Sequence, residues 1–184
     1  MQEIIIPLRP DLHEVGDAFN KTGHLELESY MVGEKTYKLP HGLDYDLIVS
    51  HTGEGILVTG MLTGKAVGEC DRCLEPAYFD IAGEVEAYYF FEEPGENLDL
   101  DEDEYDMVSP DETIDITTPL QAALIFETPF VLLDDEACKG LCPVCGINLN
   151  TAPADHNHDD EMMDANPFAK LKDFKFDEEN KKEN

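Results

Sequence analysis

The residues of this chain best suited to chemistry are its cysteines. Four of the five form two Cys-x-x-Cys pairs, Cys70 with Cys73 and Cys142 with Cys145, and the fifth is Cys138. Two intervening residues let both thiolates of a turn reach one tetrahedral ion, at about 2.3 Å for zinc. Zinc suits such a set because it favours thiolates and tetrahedral geometry and is redox-inert. We therefore predict a structural four-thiolate zinc site formed by the two pairs.

The spacing of the two pairs leaves other arrangements open. Between Cys73 and Cys142 lie 68 residues, whereas zinc ribbons usually separate their pairs by about 15–20 residues. A shared site therefore requires the fold to bring distant turns together. The local alternative combines nearby cysteines with a histidine: Cys138, Cys142 and Cys145 with His156 or His158. Two further readings are a thiol-redox pair and free structural thiols.

Motifs of the common enzyme classes are absent from the sequence. It contains no Gly-rich phosphate loop, no Gly-x-Ser-x-Gly elbow and no His-Glu-x-x-His. A four-thiolate zinc site is closed, whereas a catalytic zinc needs an open coordination position. We therefore expect a protein that is not an enzyme and has no small-molecule substrate.

The charge of the chain restricts its partners. Its 184 residues include 42 Asp and Glu against 12 Lys and Arg, for a formal net charge of −30. Autonomous binding to a phosphate backbone or an anionic membrane needs clustered cations, so both are disfavoured. The charge leaves two roles open, contact with a basic protein partner or simple solubility.

The acidic residues are concentrated between the two cysteine clusters. No Lys or Arg lies between Cys73 and Cys138, and residues 74–138 hold 20 acids. The densest stretch repels itself and cannot be buried, so we predict an exposed acidic loop over residues 92–112. The loop is either simply solvated or a docking surface for a basic partner.

The N-terminus carries no targeting signal that we recognise. Its first apolar run covers only residues 4–6, with no basic segment before it, which is unlike a secretory signal. No run approaches the ~18 apolar residues of a membrane helix. Cysteine pairs in such a chain favour metal or redox chemistry over disulfides. We expect a cytoplasmic protein.

Hydrophobic patterning before the acidic loop is mostly that of strands. It predicts strands over residues 3–7, 24–28, 43–51, 56–62, 78–81 and 85–91, with a Gly-containing hairpin turn at residues 52–55 and a break at Ala82-Gly83. Short strands separated by Gly turns indicate an antiparallel meander.

One helix is signalled after the acidic loop. Thr118 can cap its N-terminus, Pro119 can take the first helical position, and Gln121 can complete a capping box. Its apolar face is formed by Leu120, Ala123 and Leu124, and Pro129 is expected to end it.

These elements predict an α+β fold, mainly an antiparallel β meander with one or two helices and a Cys-rich, zinc-ribbon-like segment. We divide it into a β-rich part with the first cysteine pair (1–91), the acidic loop (92–112), a helix and Cys-rich knuckle (113–150), and a polar C-terminal tail (151–184). The first and third parts are expected to pack as one domain.

Two motifs together resemble the YceD family of bacterial and plastid proteins, which are named for accumulation of large-subunit ribosomal RNA. The motifs are Cys70-Asp71-Arg72-Cys73-Leu74-Glu75-Pro76 and, far downstream, Cys138-Lys139-Gly140-Leu141-Cys142-Pro143-Val144-Cys145-Gly146-Ile147-Asn148-Leu149-Asn150. Where family members often carry a Cys-x-Cys after the second motif, this chain has His156-Asn157-His158, which retains ligand chemistry.

The resemblance implies a cytoplasmic, non-enzymatic factor that supports synthesis, processing or stability of large-subunit (23S) rRNA. With its charge, the chain is expected to act through a basic ribosomal protein or a large-subunit assembly intermediate, while Arg72 and Lys139 are the candidate contacts for an RNA phosphate. Two alternatives stay open: a thiol-redox or metal-handling protein, and an acidic protein-interaction module.

Overall fold

The computed structural model of the protein describes residues 3–8, 12–94 and 105–158. In these ranges the chain forms nine strands and one helix, which confirms the predicted α+β class. The elements are β1 (Ile5–Pro7), β2 (Ala18–Leu25), β3 (Ser29–Val32), β4 (Lys35–Lys38), β5 (Leu43–His51), β6 (Gly55–Glu69), β7 (Pro76–Phe90), β8 (Asp106–Met107), β9 (Thr113–Asp115) and α1 (Thr117–Glu127).

Strand β6 is the centre of a seven-stranded sheet. One edge of β6 pairs antiparallel with β7 over the whole length of both strands, from Gly55 opposite Phe90 to Glu69 opposite Pro76. The other edge pairs with β5 and then, near the end of β6, with β4. Strands β2 and β3 extend the sheet beyond β5 and β4, and β8 lies parallel to the end of β7. Strands β1 and β9 form a separate antiparallel pair.

The core lies on one face of this sheet, under the helix. Along β5 the side chains alternate, with Leu43, Tyr45, Leu47 and Val49 buried and the residues between them less buried or exposed. Helix α1 packs on β7. The buried residues of the helix include the predicted apolar face, Leu120, Ala123 and Leu124. Alternating strand residues and a one-sided helix thus share one hydrophobic core.

The helix begins earlier than predicted and is capped differently. Its N-cap residue is Ile116, not Thr118, and no capping box forms. The N–H of Thr117 instead donates to the carboxylate of Asp115 at 2.8 Å. The Thr117 hydroxyl accepts a hydrogen bond from the N–H of Ile4 at 2.8 Å, which attaches the N-terminus to the helix. Pro129 follows the C-cap Thr128, so the predicted end of the helix is confirmed.

The predicted break at Ala82-Gly83 is wrong, because β7 runs through both residues. Gly83 serves close packing: a Cβ at this position would lie 2.8 Å from the carbonyl oxygen of Ala123 in the helix. A glycine that interrupts a strand pattern often marks such a close backbone approach. The strand predicted at residues 24–28 is mostly wrong, because β2 covers Ala18–Leu25 and residues 26–28 are not in a strand. Residues 43–51 form a strand as predicted.

Part of the predicted acidic loop, residues 95–104, lies outside the described residues, as does the tail from residue 159. Within the bounds of that loop, Asp106–Met107 form β8, which pairs with the end of β7, and β9 then pairs with β1. Among the described residues, no helix combines the length and the apolar character that a membrane crossing requires.

The close approach at Gly83 gives a first testable prediction. Gly83→Ala should lower the free energy of unfolding by about 1–2 kcal/mol, because the added methyl meets helix backbone that cannot turn aside. Ala82→Ser adds one heavy atom at an exposed neighbouring position and should cost less than about 0.5 kcal/mol. Urea denaturation followed by circular dichroism compares the two, and equal stabilities would contradict the packing role.

Candidate metal centre

The first cysteine pair forms the turn that joins β6 to β7. The N–H of Leu74 donates to the carbonyl of Cys70 at 3.0 Å, and the N–H of Cys70 donates to the carbonyl of Glu75 at 2.8 Å. The paired ends of the two longest strands therefore hold this turn in place. Both thiols are buried, with Cys70 0% and Cys73 3% exposed.

The second pair forms a turn with the same hydrogen bonds. The N–H of Gly146 donates to the carbonyl of Cys142 at 2.9 Å, and the N–H of Cys142 donates to the carbonyl of Ile147 at 2.8 Å. A single bridge between Leu141 and Asn148 closes the segment around this turn. The same turn geometry therefore occurs twice, once at the end of the sheet and once in residues 138–150, which we call the Cys-rich segment.

Each turn ends on a residue in the left-handed backbone region. Gly146 has φ 75° and Leu74 has φ 64°. Glycine takes this conformation without steric cost, whereas leucine is disfavoured there by about 1–2 kcal/mol. The repeated geometry therefore persists at Leu74 despite an unfavourable residue type.

The first turn is joined by two residues from the segment after the helix. The ligand atoms of Cys70, Cys73, Asp134 and Cys138 all lie within 4.8 Å of one another. We call these four residues the inner group. The sulfur atoms of Cys70 and Cys138 are 3.8 Å apart, and the Cys70 sulfur lies 3.1 Å from a carboxylate oxygen of Asp134. Three thiols and a carboxylate with this spacing could hold a metal ion.

The second turn is joined by the two histidines that follow it. The ligand atoms of Cys142, Cys145, His156 and His158 also lie within 4.8 Å of one another. We call these four residues the outer group. The Nε2 atom of His156 lies 3.7 Å from the Cys145 sulfur, and the two imidazole centroids are 4.8 Å apart. This second set of thiols and imidazoles could also hold a metal ion.

Two hydrogen bonds of Asp71 attach the segment after the helix to the first turn. Asp71 and Leu132 bond reciprocally, since the N–H of Asp71 donates to the Leu132 carbonyl and the N–H of Leu132 donates to the Asp71 carboxylate, each at 2.8 Å. The Asp71 carboxylate also pairs with the Lys35 ammonium at 2.6 Å. These contacts bring Asp134 and Cys138 to the turn.

Arg72, which lies between Cys70 and Cys73 in the sequence, also attaches the segment after the helix to the first turn. Its guanidinium donates to the carbonyl of Cys138 at 2.9 Å, and its own carbonyl accepts the N–H of Leu141 at 2.9 Å. A Cβ on Gly140 would lie 3.0 Å from that carbonyl. Arg72, a candidate RNA contact, is thus engaged with the backbone of the Cys-rich segment.

Lys139, the other candidate RNA contact, is hydrogen-bonded to the Asn-Leu-Asn run of residues 148–150. Its backbone N–H donates to the side chain of Asn150 at 2.8 Å. The amide nitrogen of Asn150 lies 3.2 Å from the Cys138 sulfur, and the N–H of Asn150 donates to Asn148 at 2.9 Å. The two asparagines therefore orient the chain around the inner group.

Burial and hydrogen bonding act differently on the inner thiols. Burial raises the pKa of Cys73 to about 12. Burial also opposes ionisation of Cys70, but N–H groups of Arg72, Asp134 and Cys73 point at its sulfur and hold its pKa below the usual value. A hydrogen bond from the Cys70 thiol lowers the pKa of Asp134 to about 2. The carboxylate is therefore a ready anionic ligand for a cation.

In the outer group, one cysteine is favoured as a thiolate. The N–H of Cys145, the ring of His156 and the N–H of Val144 lower the pKa of Cys142 to about 6. Near neutral pH this sulfur is mostly ionised, which is the form that binds metals. The hydrogen bonds of the turn therefore favour the ionised form of Cys142, which is the form that can bind a metal.

The structure divides the predicted ligands between the two groups. Cys70 and Cys73 belong to the inner group, and Cys142 and Cys145 belong to the outer group. The alternative ligands are divided too, with Cys138 in the inner group and both His156 and His158 in the outer group. The grouping thus differs from both the shared four-thiolate set and the local set with Cys138.

Sequence reasoning missed Asp134 and Asn150. Asp134 is one of 42 acidic residues, so its residue type alone does not distinguish it as a ligand. The clue that could have identified it is its position, four residues before Cys138. The sequence shows Asn-Leu-Asn as a motif, but the contact of Asn150 with the Cys138 sulfur depends on a turn that only the fold reveals.

The two cysteine turns lie in the part of the chain that matches a family model. The model described as large ribosomal RNA subunit accumulation protein YceD matches residues 58–175. The chain belongs to the YceD family. The matched part of this YceD chain begins within β6 and includes every residue of the inner and outer groups, so the resemblance read from the two motifs is confirmed.

Mycobacterial relatives match the YceD chain over 117 residues. Uncharacterised proteins of Mycobacterium bovis and Mycobacterium tuberculosis are 38% identical to it, over 64% of this chain and 56% of theirs. An uncharacterised protein of Mycobacterium leprae is 31% identical, over 64% of this chain and 53% of its own. The match therefore spans about half the length of these relatives. No solved structure matches the chain.

The paired turns yield a second prediction. Gly146→Leu should lower the free energy of unfolding by about 1 kcal/mol, because φ at this position disfavours a side chain although a Cβ there would meet nothing within 4 Å. Leu74→Gly, its mirror control, should leave stability unchanged or raise it by up to about 1 kcal/mol. Urea denaturation of protein with equal metal content tests this. Equal destabilisation by both changes would contradict it.

Proposed function

We propose that this protein is a non-enzymatic cytoplasmic factor that supports the synthesis, processing or stability of large-subunit rRNA. The observation that carries the proposal is membership of the YceD family, whose name describes large ribosomal RNA subunit accumulation. The protein acts mainly through protein contacts, because a chain of net charge −30 gains little from a phosphate backbone. Its partner is a basic ribosomal protein or a large-subunit assembly intermediate.

An exposed apolar patch at the end of the helix supports a protein partner. Four exposed apolar residues lie within seven positions at the end of the helix, with Phe126 88% and Phe130 99% exposed, and we call them the helix-end patch: Ile125, Phe126, Phe130 and Val131. Large exposed aromatics grouped on a surface are typical of interaction sites, where they act as anchors. A single surface apolar residue would carry no such meaning.

The surroundings of the helix-end patch favour a basic partner. Glu127 lies within its sequence, and Asp135 and Glu136 follow shortly after it, all exposed. A groove of about 320 Å³ lies beside the patch, lined by residues of β3 and α1 that include Met31, Leu124 and Ile125. We propose that an apolar side chain of a basic segment occupies this groove while its cations face the acids.

Zinc is the metal that we propose for the two groups, in a structural role. The inner group combines three thiols with a carboxylate, and the outer group combines two thiols with two imidazoles. Both sets of four suit zinc, whereas calcium and magnesium prefer sets of oxygen ligands. A set with four protein ligands leaves no open position for catalysis. Zinc here stabilises the Cys-rich segment, because a structural ion contributes its binding energy to folding.

The cellular role is tested by removing the protein. Cells that lack it should accumulate less large-subunit than small-subunit rRNA, because assembly intermediates without the factor are degraded. The tagged protein should co-sediment with precursors of the large subunit at near-physiological salt. An unchanged rRNA ratio, together with sedimentation of the protein only as a free species, would overturn the proposed function.

The contact surface is tested with two paired variants. Phe126→Ser combined with Phe130→Ser should weaken binding to proteins extracted from large ribosomal subunits by at least about tenfold, because buried aromatic anchors each contribute about 2 kcal/mol. Val15→Ser changes another exposed apolar residue, 72% exposed, and should bind like the wild type. Equal affinity of the double variant and the wild type, measured by surface plasmon resonance, would rule out the helix-end patch.

A further inference from the structure

We infer that the protein binds two metal ions, and that the ion in the inner group is a fastening site that ties the Cys-rich segment to the sheet. The inference rests on the proposed structural zinc and adds the number of ions, their separate ligand sets and a distinct task for one of them. It assigns Asp134 as a metal ligand.

The separation of two sulfur atoms in the inner group fits a tetrahedral ion. With zinc–sulfur bonds of about 2.3 Å, two thiolates on a tetrahedron lie about 3.8 Å apart. The sulfur atoms of Cys70 and Cys138 are 3.8 Å apart, although they come from segments 68 positions apart in sequence. The thiols are thus already at the separation that one shared ion imposes.

The outer group is complete without the inner one. It supplies four ligand atoms of its own, all within 4.8 Å of one another, and no residue belongs to both groups. The separation of 3.7 Å between the Cys145 sulfur and the His156 Nε2 is close to the ~3.5 Å expected for a zinc-bound thiolate and imidazole. Two full tetrahedral sets require two ions.

Two polar side chains beside the inner group offset part of the negative charge of three thiolates and a carboxylate. The guanidinium of Arg72 is held beside the group by its bond to the Cys138 carbonyl at 2.9 Å. The amide of Asn150 contacts the Cys138 sulfur at 3.2 Å. Partners of this kind orient and stabilise metal ligands. A purely apolar thiol cluster would need neither the carboxylate nor these polar neighbours.

The two ions have different structural tasks. The inner ion joins residues on the β6–β7 turn to residues that follow the helix, so it closes a long loop of the chain. The outer ion joins Cys145 to His156, only 11 positions apart, and orders a local segment. Loss of the inner ion should therefore release the Cys-rich segment from the sheet, whereas loss of the outer ion should leave that attachment intact.

The decisive experiment is metal analysis of the full chain and single variants, using zinc as the probe. The wild type should bind two equivalents of zinc. Cys138→Ser and Cys145→Ser should each bind one, and the double variant none. With Co²⁺ in place of zinc, the thiolate-to-metal absorption of Cys145→Ser should exceed that of Cys138→Ser by about three to two, because the remaining groups hold three and two thiolates.

A second pair of variants tests the inner group with substitutions that are less disruptive to the fold. Asp134→Asn should lose one equivalent to a chelator at least about tenfold faster than the wild type, since an amide is a poorer ligand than a carboxylate. Asp135→Asn, its exposed neighbour outside the group, should behave like the wild type. Hydrogen exchange over residues 133–150 should speed up in Cys138→Ser at the contacts with the sheet, and not in Cys145→Ser.

The other outcomes would overturn the inference. One equivalent that is lost in both Cys70→Ser and Cys145→Ser indicates a single shared four-thiolate site. One equivalent that is lost only in Cys145→Ser makes the inner group a thiol cluster, and structural zinc in the outer group stands. A wild-type protein that binds no zinc would contradict both proposed metal sites. The ribosomal role is measured separately by co-sedimentation, so it can stand or fall independently.

Discussion

The antiparallel pairing of β6 with β7 is the constraint on which the rest of the structure depends. The two strands pair over their full length and end together at the turn that carries Cys70 and Cys73. On its way, β7 presents Gly83 to the helix. Because the helix determines where the chain resumes, its position also directs Asp134 and Cys138 back to the turn. The inner group is therefore a consequence of sheet geometry.

Periodic features of the sequence predicted much of this fold. The alternation over residues 43–51 identified β5, and the apolar spacing of Leu120, Ala123 and Leu124 identified the buried face of the helix. Local rules failed where a distant contact decided the outcome. Local rules predict a strand break at Gly83, because they do not include the helix that packs against it. They also predict an N-cap at Thr118, whereas the helix begins after Ile116 and the Thr117 N–H donates to Asp115.

The candidate site shows the same limit more sharply. Residue type and spacing singled out all five cysteines and both histidines that the structure groups. The partition among them could not be read from spacing, because Cys138 is nearer in sequence to Cys142 than to Cys70. Its allocation depends on the Asp71–Leu132 bonds and on Arg72, neither of which leaves a pattern in the sequence.

The pairing of β1 with β9 has a consequence for the order in which the chain folds. Strand β1 begins at Ile5, whereas its partner ends at Asp115, so β1 cannot pair until residue 115 has left the ribosome. Cys70 and Cys73 wait longer still, for Cys138. Contacts this far apart form slowly, and N-terminal segments of a nascent chain spend that interval exposed. In this topology the β6–β7 hairpin can form first, because both of its strands are synthesised before β9 and Cys138.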